Sequence, residues 1–373
     1  MSEGVVDPDD PRFTPGLVGH GAAERLLLDQ WLSGRMPHAV MISGRPGIGK
    51  ATLAYRLARF VLSGGGGDAG LFADAPQSLH VPPESPVFRR VASGGHVDLM
   101  VLERPWDEKR GRRRGVIPID QARKAVSFLR LTPGEGGWRV VLVDAVDDLN
   151  TSSANALLKV LEEPPPRVLM ILVANAPGNV LPTIRSRCRH ITLAPLSEAD
   201  TDAVVAARRP EVAEGERRLA VALSEGSPGR ALALLGQGAA TLYGDLIGLL
   251  QTLPDYPFAR AQAFADKVGG GADEAPFAAF CELFSGWLSR LLRGAAQGEP
   301  EGPLEDERRL NARLAAAGAL DPWFEVWDKA RTWFAETEGL NLDRKQAVLA
   351  VVEACATAAR RSAATSGPAG VRA

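Results

Sequence analysis

The stretch 138–166, WRVVLVDAVDDLNTSSANALLKVLEEPPP, restricts the fold of this chain more than any other. Its apolar run 140–143 reads as a strand buried on both faces, the kind that parallel sheets cover with helices. Asp144 closes that strand at its carboxyl end, where open α/β sheets place ligand chemistry. A helix follows, capped by Asn150 or Thr151, with Ala154, Leu157, Leu158 and Leu161 on one face. Pro164, Pro165 and Pro166 end it, because proline lacks the N–H and clashes with the preceding turn.

A second apolar strand is expected at 39–43, followed by Gly44-Arg45-Pro46-Gly47-Ile48-Gly49-Lys50-Ala51-Thr52. This fits G-x-x-x-x-G-K-[ST] at every fixed position but the last. The glycines Gly44, Gly47 and Gly49 let backbone N–H groups turn toward phosphate oxygens, and the helix starting near Lys50 adds its positive end. Lys50 would neutralise the outer phosphates. The hydroxyl that would join Mg²⁺ is missing: Ala51 holds its place, and Thr52 lies one helical position on, rotated by roughly 100°. A glycine loop of purely structural value is the competing reading. Lys50 and the helix 53–62 favour a phosphate loop by descent and leave open whether ATP or ADP still binds. Asp144 stands where a carboxylate helps to hold Mg²⁺ beside a nucleotide, with Ala145 next to it.

With 373 residues the chain has room for roughly two or three domains. A net charge of -2 speaks against a protein that coats nucleic acid with its whole surface. No apolar run approaches the ~20 residues of a membrane span, and the acidic, proline-containing first residues do not resemble a signal peptide. Cys188, Cys281 and Cys355 are too dispersed for paired spacing, which predicts reduced thiols and a cytoplasmic protein. The Gly- and Pro-rich segment 63–95 contains no cysteine, and His80 and His96 lack ligand spacing, so no zinc or other metal site is expected. The basic segment 104–114, RPWDEKRGRRR, admits either phosphate contact or a plain solvated loop; Asp107 and Glu108 within it favour the latter.

The run Ser153-Ala154-Asn155-Ala156-Leu157-Leu158-Lys159-Val160-Leu161-Glu162-Glu163-Pro164-Pro165 resembles the signature of bacterial clamp-loader subunits, AAA+ proteins that open a ring-shaped clamp and place it on DNA. Ser186-Arg187-Cys188, after Pro182 and before a strand at 189–193, resembles the same family's arginine-finger segment. Cys188 itself reads as a small packing residue, since no acid or histidine is placed to activate it. The resemblance implies that Arg187 reaches a neighbouring subunit's ATP. It also implies that Asn175, at the end of the strand 168–173, sits where a polar residue orients water, although Asn before Ala-Pro-Gly is equally ordinary turn chemistry. Arg230 in Gly226-Ser227-Pro228-Gly229-Arg230 resembles a second sensor capping a helix that faces the nucleotide. Leu17-Val18-Gly19-His20 and the helix after it, with Leu26, Leu27 and Trp31 inward, resemble the segment near the adenine.

The implied architecture is a five-stranded parallel α/β sheet of the AAA+ P-loop class with helices on both faces, an all-α lid and an all-α collar. Its bounds are a flexible 1–14, the nucleotide-binding-like domain 15–195, the lid 196–238, the collar 239–360 and a disordered tail 361–373. Tryptophans in the collar region (Trp323, Trp327, Trp333) read as core rather than as a stacking surface. The family has Asp-Glu where this chain has Asp144-Ala145. Loss of that glutamate together with the Ala51 hydroxyl implies the subunit type that keeps the finger and does not hydrolyse ATP. Its implied partners are gamma/tau and delta subunits in a hetero-oligomeric ring, with the sliding clamp and primer–template DNA met through that complex. No cofactor of its own is required. The alternatives are a hydrolysing gamma/tau-type subunit and a passive scaffold.

Overall fold

The computed structural model of the protein describes residues 9–65, 75–107, 112–135, 137–236, 238–271, 273–340 and 342–365. The chain forms two compact units. The first runs to Arg208 and takes back Gly226–Arg230; the second holds Arg209–Glu225 and the chain from Ala231 onward.

The first unit is built on strands β1 (Ala39–Ser43), β2 (Leu99–Glu103), β5 (Arg139–Asp144), β6 (Val168–Ala174) and β7 (Arg189–Thr192), with a short ribbon, β3 (Trp106–Asp107) and β4 (Arg112–Arg113), beside them. The sheet order is β2-β5-β6-β1-β7, every pair parallel. Parallel neighbours need crossovers, which are supplied by α2 (Lys50–Leu62), α3 (Pro86–Ala92), α4 (Ile119–Leu129), α5 (Thr151–Glu162) and α6 (Pro182–Arg185); α1 (Gly21–Leu32) precedes the sheet and α7 (Glu198–Arg208) follows it.

Side chains alternate along each strand, so one apolar run feeds two cores. Val40, Ile42, Val140, Leu142, Leu169 and Ile171 pack with Leu53, Leu57 and Phe60 of α2. Ala39, Met41, Val141, Val143, Met170 and Leu172 pack with Ala122, Ala125 and Leu129 of α4 and Leu157, Val160 and Leu161 of α5. This is the expected two-sided α/β sheet. The register sets Glu103 against Asp144 and Ser43 against both Ala174 and Thr192, which aligns the carboxyl ends of the strands in one row.

α5 begins as its sequence predicts. The Asn150 side chain accepts from Ser153 N at 2.8 Å, and the Ser153 hydroxyl ties the cap to Ile117 O at 2.9 Å. Asn150→Ala should therefore cost about 1 kcal/mol, read as a lower urea midpoint with an unchanged m-value.

Four expectations need correction. Residues 9–14, within the segment expected to be flexible, are ordered: Asp10 accepts from Arg12 N at 2.8 Å to cap a 3₁₀ turn, Pro11–Phe13, and Arg59 donates to Thr14 O at 2.8 Å. Residues 1–8 lie outside the described residues. Leu26 is 36% exposed; Leu27 faces the core as expected, and Leu28 takes the place expected of Leu26, because α1 is rotated to seat that pair. The boundaries at 195 and 238 are not those of the compact units: Gly226–Arg230 packs with the first unit while α8 (Glu214–Ser224) belongs to the second. The tail expected from 361 is helical as far as Thr365, held by Arg361–Glu325 pairing at 2.6 Å and by the Ser362 hydroxyl on Ala319 O at 2.9 Å. Residues 366–373 lie outside the described residues.

Beyond α9 (Pro228–Gly236), the second unit continues through α10 (Ala239–Leu250), α11 (Phe258–Gly269), α12 (Ala275–Gln297), α13 (Glu305–Ala316), α14 (Asp321–Leu340) and α15 (Arg344–Thr365). Trp287 and Trp323 are fully buried 6.0 Å apart, and Trp327 and Trp333 pack against the same core, so the tryptophans there are structural. Inside this apolar unit Arg290 donates to Glu307 at 2.8 Å, with Glu307 at 0% exposure. Among the described residues no single helix is long and apolar enough to cross a membrane.

Candidate functional site

The loop after β1 is shaped by its glycines. Gly47 and Gly49 take φ of +77° and +102°, which other residues rarely adopt. A Cβ on Gly47 would also stand 2.5 Å from the Ser227 hydroxyl. That hydroxyl donates to Pro46 O at 2.8 Å, and Gly229 N donates to Gly47 O at 2.9 Å. The segment bearing Arg230 is therefore laid directly on the phosphate-type loop. Ser227 also accepts from Arg230 N at 3.3 Å, capping α9, whose first turn holds Arg230. On the other side the buried His20 ring bonds Ile48 O at 2.6 Å.

Lys50 is buried, and its ammonium donates to Arg45 O at 2.6 Å. Burial pulls its pKa down to about 8, although the carboxylates Asp144 and Asp147 act in the other direction. Burial likewise pushes Asp144 up to about 6, reinforced by Glu103 and Asp148 and opposed by Lys50 and Arg113. Ala51 and Thr52 are half-buried in the first turn of α2.

At the carboxyl ends of β2, β5 and β6 lies a cleft of about 340 Å³ whose walls include Asp144, Ala145, Asp148, Asn175, Glu103 and Tyr55. Asp10 and Arg12 of the N-terminal segment also line it, a contribution that sequence reading missed; the Asp-Pro-Arg order, a capping acid before a proline, was the available signal. Ala145 is buried and lines the cleft beside Asp144. Asp147 does not replace it. Its carboxylate accepts from Asn175 N at 2.8 Å and Ala176 N at 3.3 Å, and so holds the loop after β6.

Arg187 stands apart from this cleft, in the loop between α6 and β7. Its guanidinium donates to Thr183 O at 2.8 Å and pairs with Glu162 at the end of α5 at 2.7 Å, with the side chain about one-third exposed. Neighbouring Cys188 is half-buried against the α5 core, and burial pushes its thiol up to about 12, consistent with packing rather than reactivity.

The sequence agrees with a family described as DNA polymerase III, delta subunit, over residues 19–197. A curated relative, DNA polymerase III subunit delta' of Pseudomonas aeruginosa, is 31% identical over 275 residues, which cover 73% of this chain and 77% of that one. The chain belongs to the delta-prime subunits of DNA polymerase III. The delta-prime subunit of Escherichia coli K12 is 32% identical over 56% of this chain and 57% of its own length. More distantly, the tau subunit of Bacillus subtilis is 26% identical over 64% of this chain and 39% of its own. A solved gamma subunit-related protein of Thermotoga maritima aligns with 90% of this chain and 100% of that one at 17% identity and TM-score 0.40.

Proposed function

We propose that this chain is a clamp-loader subunit that does not hydrolyse ATP and that lends Arg187 to the nucleotide of a neighbouring subunit. It acts within a ring of gamma/tau and delta subunits that places the sliding clamp on primed DNA. The observation that carries the reading is Asp144 beside a buried Ala145 in the cleft at the strand ends, with Asp147 committed to the 175–176 amides and the cleft carboxylates Asp148 and Glu103 each paired with an arginine.

Hydrolysis needs a water-activating group and a held Mg²⁺ ion. Ala145 cannot activate water, and Ala51 supplies no ligand. The residues present therefore do not make a complete Mg²⁺–nucleotide centre. Gly44, Gly47, Gly49, Lys50, Thr52, Asp144, Asn175 and Arg230 are in this reading the remnant of one, and the function requires neither bound nucleotide nor zinc. Arg187, in contrast, needs only to exchange its contacts to Glu162 and Thr183 O for phosphate oxygens of a partner's ligand.

The isolated chain should turn over ATP at background rate in a steady-state assay with Mg²⁺. ATPase activity that disappears in Lys50→Ala would overturn the reading in favour of a hydrolysing gamma/tau-type subunit.

A further inference from the structure

Six of the seven tryptophans pack wholly or partly into the apolar clusters of the first or the second unit, whereas Trp106 is 61% exposed. It sits on the β3–β4 ribbon directly opposite Arg113. Opposed residues of an antiparallel pair share a face, so the indole and the guanidinium project from the same side. The ribbon is held in place at its base: Arg114 N donates to Pro105 O at 2.8 Å, and the Arg113 guanidinium reaches Arg104 O at 2.9 Å.

The segment 104–114 carries six Lys and Arg residues against Asp107 and Glu108, in a chain whose net charge is -2. The basic charge is thus concentrated locally. Arg113 pairs with Glu103 at 3.0 Å, Arg104 with Asp148 at 3.2 Å and Arg114 with Asp107 at 3.8 Å, all with well-exposed arginines. Exposed pairs of this kind hold weakly and can be exchanged for another anion.

We infer that the β3–β4 ribbon is a contact for single-stranded nucleic acid, Trp106 stacking on an unpaired base while Arg113, on the same face, meets a flanking phosphate. An exposed indole offers a flat apolar face to a base already out of a duplex, and the guanidinium beside it meets the backbone charge. Tryptophan and arginine also recur in protein interfaces, but a segment with a surplus of positive charge in a chain of net charge -2 favours a polyanion. The inference does not depend on the role of Arg187.

The test uses the full chain and a fluorescein-labelled oligodeoxythymidylate, with anisotropy followed across a salt series. Trp106→Ala should weaken binding by about five- to a hundredfold, with the salt slope kept. Arg113→Gln should lower that slope by about 0.7, the release of ions from one single-strand phosphate. Both positions are exposed, so circular dichroism should match the parent's. A parent chain that shows no binding at about 100 µM in low salt, the weak end of non-specific affinities, overturns the inference. So does a Trp106→Ala chain that binds as the parent does. Retained DNA binding with lost assembly in that variant would place a protein on the ribbon instead.

Discussion

In a reassembled clamp loader, Arg187→Ala is expected to slow the ATP site it serves by about 10²- to 10³-fold, the usual effect of removing one preorganised donor from a developing negative charge. Complete arginine fingers supply ~10³ to 10⁵ in rate, so this is the largest effect predicted for the chain. Whole-complex turnover should fall by the share that this one site carries, because the other subunits keep their own arginines. Folding and assembly should be unchanged, since Arg187 is a partly exposed residue whose ion pair with Glu162 lies at the surface. Arg185→Ala, two residues earlier and exposed, is the internal control and should matter less. The measurement is steady-state ATPase stimulated by clamp and primed DNA, at matched assembly by size exclusion. Full turnover and clamp loading by the Arg187→Ala complex would make the chain a passive scaffold.

The largest expected effect on stability lies in the second unit. Arg290→Met should cost about 3–5 kcal/mol, because it strands a buried carboxylate. Glu307 is wholly buried and one of its oxygens accepts from Arg290 Nε, while the Arg290 guanidinium also donates to the Tyr243 hydroxyl. Burial already raises its pKa even with Arg290 in place, so without the arginine it should take up a proton. The double variant Arg290→Met, Glu307→Leu should recover most of the loss, since a well-packed apolar pair often equals or exceeds a buried ion pair. Urea denaturation of the four chains of the cycle measures this. Equal stability of Arg290→Met and the parent would show that the pair is not closed to water.

Much of the first unit was legible in the sequence because a parallel sheet writes itself as short apolar runs. Runs near 140, 168 and 39 became central strands with both faces covered, and Asn150 capped its helix as expected. Asp144 and Asn175 came together in one cleft, as their places at strand ends implied. What stayed hidden depends on contacts distant in sequence. Nothing near Leu26 shows that α1 turns Leu28 inward instead; the packing partners decide that. Residues 9–14 are polar and read as loose, yet Arg59 and Arg208, from two later helices, hold Thr14 in place. The role of Asp147 was also invisible, since its partners are backbone amides of the loop after β6.

The chain path sets a limit on how this molecule can be divided. It leaves the first unit after Arg208, returns for Gly226–Arg230 and leaves again within α9. That brief return supplies the donors to Pro46 O and Gly47 O, and Gly226 O accepts from Leu196 N at 2.9 Å. A fragment cut at Arg208 would surrender all three bonds and uncover the glycine loop, although every strand of the sheet would remain. Gene fusions, swaps between relatives and proteolytic dissection therefore have no clean joint here: the P-loop's own ceiling is encoded on the far side of α8.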